Sequence, residues 1–313
     1  MMGIAMVAPE LVAGFAVRQF RDARELSKEY GFSISHGYLF AMGGLVDPSG
    51  YVVAAKQQLN DPAILQALCK VDALEIEDKS KPAGQIICLT LWAIVWLCNQ
   101  LAARRSRNLP ATGLEYATLA FAVMNLVTWR YWRYKPLRVN IPICTVLYLQ
   151  PGKPARSAEL PSRIHILTAL VGNRVGDHRF SPFRLASVPE FWSTGIFPLS
   201  DFGAFDFFLV ALPSIVFGTI HCAAWNAVDL PTAAEMWLWK VSSLSLVSVP
   251  LIAWSMILFV RRAGAVPAFI LWPLIATYIL ARLVLIGLCF AQPSASIFVD
   301  VDVFIPHPLS LIR

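Results

Sequence analysis

The sequence predicts an all-α fold, a polytopic transmembrane helical bundle of about five to six spans with a long basic cytoplasmic loop. Of its 313 residues, 57% are hydrophobic and only 15% are charged, and the mean hydropathy is +0.59. An ordinary soluble domain carries about 25% charged residues. One or two soluble cores cannot bury so much apolar surface, so lipid must solvate part of it. The same figures exclude disordered, collagen-like and disulfide-scaffold proteins.

Five apolar segments are long enough, or nearly so, to cross a membrane. A transmembrane helix needs roughly 20 mostly apolar residues. The five segments lie near residues 86–103, 112–129, 205–227, 241–260 and 264–291. A sixth candidate, residues 1–17, is short and is interrupted by Pro9 and Glu10. It is either a span or a helix at the membrane interface.

The spans divide the chain into three parts. Residues 1–129 form an N-terminal membrane region with a cytoplasmic segment at 18–85, residues 130–204 form a basic amphipathic cytoplasmic loop, and residues 205–313 form a C-terminal membrane region. Basic residues beside a span resist translocation, and most Lys and Arg fall in 18–85 and 130–204. Both termini are therefore placed on the outer side. The short run Arg104-Arg105-Ser106-Arg107 opposes this orientation, because it lies in an outer loop.

Ionisable and polar residues near the spans are the candidate functional residues. A charged group at membrane depth costs of the order of 3 kcal/mol, so it needs a structural or functional reason. In the predicted topology these residues belong to the outer side and could share one outward-facing pocket. The candidate catalytic residues are Glu115, Asp229 and Glu235 as proton donors and His221 as base, and the candidate substrate-binding residues are Arg282, Asn226 and His307.

Structural explanations compete for the same residues. The T-G-L-E string at 112–115 is typical of a capping box, in which Glu115 stabilises the start of a helix. A histidine such as His221 is more often a hydrogen-bonded interior residue than a base. Arg282 can extend to the interface, form an ion pair with Glu115 or Glu10, or contact a substrate.

Motifs for cofactors and metals are missing from the sequence. It has no C-x-x-C, H-E-x-x-H, G-x-S-x-G, Walker loop or G-x-G-x-x-G, so no cofactor or metal is predicted. The aromatic and basic string at 129–138 follows a span directly, which favours a membrane-interface anchor over a nucleic-acid surface. The predicted partners are the lipid bilayer and, if the protein is an enzyme, a hydrophobic small-molecule substrate.

Several strings occur together in this chain: APELVAGFAVRQF (8–20), EIEDKSK (75–81), TGLE (112–115), HCAAWN (221–226), YILARL (278–283) and FIPH (304–307). Together they resemble an uncharacterised fungal family of multi-pass integral membrane proteins, over nearly the whole chain. The resemblance implies a fungal origin and an integral membrane location, in an endomembrane or the plasma membrane, and it implies no activity. Members of that family usually carry a further apolar segment upstream of the APE motif, so the resemblance implies that this chain lacks it.

Three functional hypotheses are open. The first is a membrane protein of unassigned activity with a scaffolding or partner-binding role, in which the polar positions serve helix packing. The second is an intramembrane enzyme, terpene-cyclase-like or acyltransferase-like, that acts on a lipid or isoprenoid. The third is a transporter, which the absence of an internal repeat disfavours.

Overall fold

Within the residues that the computed structural model describes, the chain is mostly helical. These residues are 2–48, 50–53, 56–72, 76, 84–136, 143–144, 204–263 and 268–291. The helices are α1 (Met2–Val7), α2 (Pro9–Tyr30), α3 (Ile34–Ala41), α4 (Pro62–Cys69), α5 (Gly84–Ser106), α6 (Gly113–Trp132), α7 (Ala204–Ala223), α8 (Ala233–Ala263) and α9 (Ala268–Ala291). The strands are β1 (Leu45–Val46), β2 (Val52–Val53) and β3 (Ile143–Cys144), and a 3₁₀ helix covers Lys56–Asn60. The predicted helical class is confirmed.

Three helices are long and apolar enough to cross a membrane. They are α5 over Ile87–Ser106, α8 over Ala233–Met256 and α9 over Trp272–Ala291. These helices lie where the sequence predicts spans, near 86–103, 241–260 and 264–291.

Two further predicted spans form helices that do not meet the same length and hydropathy requirements. The segment near 112–129 lies in α6, and the segment near 205–227 lies in α7, where Ala211–Ala223 is a shorter apolar helix. The total of five or six spans therefore stays a prediction. Most of the basic loop at 130–204 lies outside the described residues.

The segment predicted as a first span, residues 1–17, is divided between two helices. Helix α1 ends at Val7 and α2 begins at Pro9, while Ala8 between them has a φ of −144° and a ψ of 71°, outside the helical region. Proline is favoured as the first residue of a helix, because it has no N–H to donate to the preceding turn. Residues 1–17 are therefore not one continuous helix. Helix α2 runs on to Tyr30 and ends at Gly31, whose φ of 75° suits glycine.

The second half of α2 belongs to a small packed unit on the predicted cytoplasmic side. In its sheet, β1 pairs antiparallel with β2 (Leu45 with Val53) and parallel with β3 (Leu45 with Ile143). Its core consists of buried apolar residues from α2, α3, β1, β2, the 3₁₀ helix, α4 and the segments that follow α2 and α4: Leu26, Phe32, Leu39, Phe40, Leu45, Val53, Leu59, Ile64, Leu68 and Ile76. The segment predicted only as cytoplasmic thus has a hydrophobic core of its own.

A second core joins the helices of the bundle. Helix α7 packs against α2, α6 and α8, and α9 packs against α8 and α6. The buried residues at the centre come from five helices and the α7–α8 loop, and include Ala13, Met124, Phe217, Trp239, Leu246 and Leu285. This core surrounds the candidate site described below.

Hydrogen bonds join neighbouring segments of the chain at both ends of the bundle. At one end, the loop before α6 lies beside the loop after α7, where the Ala111 N–H donates to the Ala227 carbonyl at 2.7 Å. At the other end, Trp132 Nε1 and Lys135 Nζ both donate to Gln19 Oε1, at 3.0 and 2.9 Å. The structure therefore places the loops that the charge distribution assigns to the outer side next to each other.

Helices α7 and α8 approach closely at Gly218. A Cβ at this position would lie 2.8 Å from Val247 Cγ2 and 3.0 Å from the Val247 nitrogen. We expect Gly218→Val to lower the free energy of unfolding by about 1–3 kcal/mol, since overpacking forces backbone shifts. Gly287→Val in α9 is the matched control, because a Cβ there would meet no atom within 4 Å. Thermal unfolding in detergent measures both, and equal losses would contradict the close approach.

Lys135 is expected to titrate close to neutrality. Its ammonium lies 4.0 Å from the centre of the Trp132 ring, and loss of hydration lowers the pKa of Lys135 to about 8. In the unfolded chain a lysine keeps its proton to about pH 10.4. Between these pH values the unfolded state binds more protons, so the stability of the wild type should rise with pH relative to Lys135→Met. The methyl resonance of dimethylated Lys135 reports the midpoint directly, and an ordinary lysine midpoint would refute the expectation.

Candidate functional site: a buried ion pair at a helix break

Glu115 is part of a capping box at the start of α6. Its Oε2 accepts a hydrogen bond from the Thr112 N–H at 2.8 Å, and Thr112 Oγ1 accepts one from the Glu115 N–H at 3.3 Å. Its other carboxylate oxygen lies 3.1 Å from Arg104 Nε. The capping box expected from T-G-L-E is therefore confirmed. Arg104, which belongs to the basic run at 104–107, therefore forms an ion pair with the start of α6.

Glu235 has an equivalent structural role at the start of α8. Its N–H donates to Thr232 Oγ1 and its Oε2 accepts from the Thr232 N–H, both at 3.2 Å. The T-A-A-E string at 232–235 carries the same spacing as T-G-L-E, and it could have been identified from the sequence. In the preceding loop, Asn226 and Asp229 are exposed. His307 lies outside the described residues.

His221 is an interior histidine held by aromatic neighbours. It is buried, its Nδ1 lies 2.9 Å from the Phe217 carbonyl oxygen, and its ring stacks on Phe217 with centroids 4.6 Å apart. Because a carbonyl only accepts hydrogen bonds, Nδ1 is the protonated nitrogen. Trp239 Nε1 donates to the His221 carbonyl at 3.2 Å. The expectation of a hydrogen-bonded interior histidine is confirmed.

Arg282 forms an ion pair with Glu10 in the interior of the bundle. The side chains are 4% and 0% exposed, and Arg282 Nε lies 3.7 Å from Glu10 Oε1. Tyr278, one turn before Arg282 on α9, donates its hydroxyl hydrogen to the same Glu10 oxygen at 2.8 Å. Of the three roles open to Arg282, the structure favours pairing with Glu10.

Arg282 also completes the hydrogen bonding of the backbone at the break between α1 and α2. Its Nε donates to the Val7 carbonyl at 2.7 Å. The last carbonyls of a helix have no partner within that helix, so a break inside an apolar bundle needs an outside donor. Glu10 stands in the first turn of α2, where the helix dipole favours negative charge. We call Val7, Glu10, Tyr278 and Arg282 the Glu10–Arg282 cluster.

Aromatic rings cover the guanidinium of Arg282. Its Cζ lies 3.9 Å from the centre of the Phe217 ring and 5.3 Å from that of Phe121. A cation over an aromatic face is attracted by the ring's quadrupole, and the attraction is stronger where water is excluded. Since Phe217 also stacks on His221, one ring links two of the predicted site residues. The cluster thus joins α1, α2 and α9, and the two rings bring α6 and α7 into contact with it.

The cluster lies deep in the bundle. Arg282 precedes the end of α9 at Ala291 by nine residues, which is about 14 Å at the rise of an α-helix. That depth is close to the middle of a hydrocarbon core of about 30 Å. An ion pair at this depth is costly unless it is well partnered.

The structure brings together part of the predicted site. Arg282 and His221 share Phe217, whereas Glu115 and Glu235 cap helices and Asp229 is exposed. Sequence reasoning named Glu10 as a possible partner of Arg282 and did not name Tyr278. The signal for Tyr278 was its position four residues before Arg282, on the same helix face. Across the described ranges, no group of three or more His, Cys, Asp or Glu residues is placed to hold a metal ion.

Comparison with known protein families, with characterised proteins and with solved structures finds no match for this chain.

Replacing Arg282 by lysine should destabilise the protein although the charge is kept. Lysine lacks the planar guanidinium group that donates to the Val7 carbonyl and, at the same time, covers the Phe217 ring. We expect a loss of about 1–3 kcal/mol in the free energy of unfolding, because the Val7 carbonyl is left without its donor. Arg107→Lys, at an exposed position, is the control and should change stability by less than about 0.5 kcal/mol. Indistinguishable unfolding curves for the two variants would contradict the assigned role of Arg282.

Proposed function

We propose that this chain is a multi-pass integral membrane protein with a scaffolding or partner-binding role, in which the Glu10–Arg282 cluster holds the helices together. The observation that carries the proposal is the apolar outer surface of the three membrane-capable helices. Large apolar side chains are exposed along α5, α8 and α9, among them Leu89, Trp92, Val95, Trp237, Val241, Leu244, Trp272, Ile279 and Leu283. Contiguous apolar patches of this extent are rare on soluble monomers.

Helix α5 supports the membrane assignment most directly. None of its residues from Ile87 to Ser106 is buried within the described structure, although this helix is apolar enough to cross a membrane. In water such a helix would expose much of its apolar surface. In a bilayer lipid tails cover that surface, and the backbone hydrogen bonds are satisfied within the helix.

The packing of the other helices supports a larger number of spans. Helices α6 and α7 share the central core with α8 and α9 and extend between the same two ends of the bundle. We therefore infer that they cross the membrane too. The first span would then consist of α1 and the first half of α2, broken at Ala8. A discontinuous helix inside a membrane is tolerated where neighbouring helices satisfy the freed backbone, as Arg282 does at Val7.

The orientation of the protein follows from its basic residues. Arg18, Arg21 and Arg24 on α2, Arg130 in the last turn of α6 and Arg133 just after it lie toward the end of the bundle that carries the small packed unit. We propose that this end is cytoplasmic, where the basic loop would meet an anionic leaflet. The six sequence strings that resemble the fungal family, from APELVAGFAVRQF to FIPH, also lead us to propose that this chain is a member of it.

A lipid- or isoprenoid-modifying enzyme is the less well supported alternative. It requires acids and a base around one cavity, but the carboxylates of Glu115 and Glu235 are engaged in capping boxes. His221 is enclosed by Phe217 and Trp239. These contacts favour structural roles for the three residues.

Glycosylation mapping tests the proposal cleanly, because the sequence contains no N-x-S/T sequon. A flexible extension with one sequon, inserted after Arg107 between α5 and α6, should be glycosylated in microsomes. The same extension beside Pro48, in the turn between β1 and β2, should not be. Both proteins should stay in the membrane pellet after alkaline extraction.

The proposal fails if the untagged chain is released by alkaline extraction. The proposed orientation fails if the extension beside Pro48 is glycosylated and the one after Arg107 is not.

A further inference from the structure

Two polar atoms of the Glu10–Arg282 cluster have no hydrogen-bond partner in the part of the chain that the structure describes. They are Glu10 Oε2 and Arg282 Nη2, and both are shielded from solvent. A buried charged group with an unmet hydrogen bond costs more than a neutral one, and such groups in native proteins normally have a partner. Two such atoms within one ion pair indicate that a third group bonds to both.

The neighbouring protein groups are already engaged. Glu10 Oε1 accepts from Tyr278, and Arg282 Nε donates to the Val7 carbonyl. The guanidinium lies over the rings of Phe217 and Phe121, and a phenyl ring carries no oxygen or nitrogen that could accept its hydrogen bonds. The described part of the chain therefore offers these two atoms no further partner.

The chemistry of the two atoms defines what that group is. A cation beside Glu10 Oε2 would be repelled by Arg282, and an anion beside Arg282 Nη2 would be repelled by Glu10. A neutral molecule that donates one hydrogen bond and accepts another satisfies both atoms. Water is the smallest such molecule, which suits two atoms that are both shielded from solvent.

We propose that at least one water molecule is bound between Glu10 Oε2 and Arg282 Nη2, donating to the carboxylate and accepting from the guanidinium. The geometry supports such a bridge. Glu10 Oε1 and Arg282 Nε are 3.7 Å apart, and each unpartnered atom is bonded to the same carbon as one of them. Bridging waters contribute nearly as much enthalpy as direct hydrogen bonds. The ion pair is thus a hydrated site inside an otherwise apolar core.

X-ray hydroxyl-radical footprinting with mass spectrometry tests this inference on the wild-type protein in nanodiscs. Radicals formed from a bound water oxidise the side chains beside it, even where bulk water does not reach. Phe217, fully buried against Arg282, is the reporter, and Phe40, equally buried in the core of the small packed unit, is the control. We expect Phe217 to be oxidised several-fold faster than Phe40. In water enriched in ¹⁸O, the added oxygen should carry the label.

A second measurement uses the Glu10→Met and Arg282→Met double variant, which removes both unpartnered atoms. Oxidation of Phe217 in this variant should fall to the level of Phe40. Equal oxidation of the two rings in the wild type would overturn the inference, whether or not the double variant folds. The inference rests on the cluster alone, so the extraction and glycosylation experiments can fail while it stands, and the reverse also holds.

Discussion

The contact of Arg282 with the break between α1 and α2 is the interaction on which the arrangement of the bundle depends. A chain that breaks a helix inside an apolar core exposes carbonyl groups that lipid cannot satisfy. Arg282 supplies the missing donor to Val7, 275 positions away in sequence, and its charge is balanced by Glu10 just beyond the break. Because Phe217 on α7 covers the guanidinium, Arg282 also helps to position α7. One arginine therefore joins the start of the described chain to its last helix.

The two ends of the bundle are stabilised by different means, and both differ from its sides, which are apolar. One end is closed by two capping boxes and by the pairing of Ala111 with the loop after α7. The other end is joined to a small unit that has its own core. Between them, the sides of α5, α8 and α9 present apolar residues. This division suits a protein that is solvated by lipid around its circumference and by water at its ends.

Local features were predictable from the sequence, and distant pairings were not. The three apolar helices and the capping box at Thr112 follow from hydropathy and from a four-residue pattern. The choice of Glu10 over Glu115 as the partner of Arg282 depends on where the break between α1 and α2 lies beside α9, and no local pattern encodes that tertiary arrangement. The core of the small packed unit was missed for a similar reason, because its residues come from short elements separated by Gly- and Pro-rich turns.

A double-mutant cycle on Glu10 and Arg282 tests the central claim most directly. The free energy of unfolding would be measured in mixed micelles for Glu10→Met, Arg282→Met and the double variant. Removing one member of a buried ion pair costs about 3–5 kcal/mol, whereas replacing both by apolar residues is often nearly neutral. The account therefore predicts that the double variant is more stable than either single variant. Losses that simply add would contradict it, because they would mean that the two side chains do not interact.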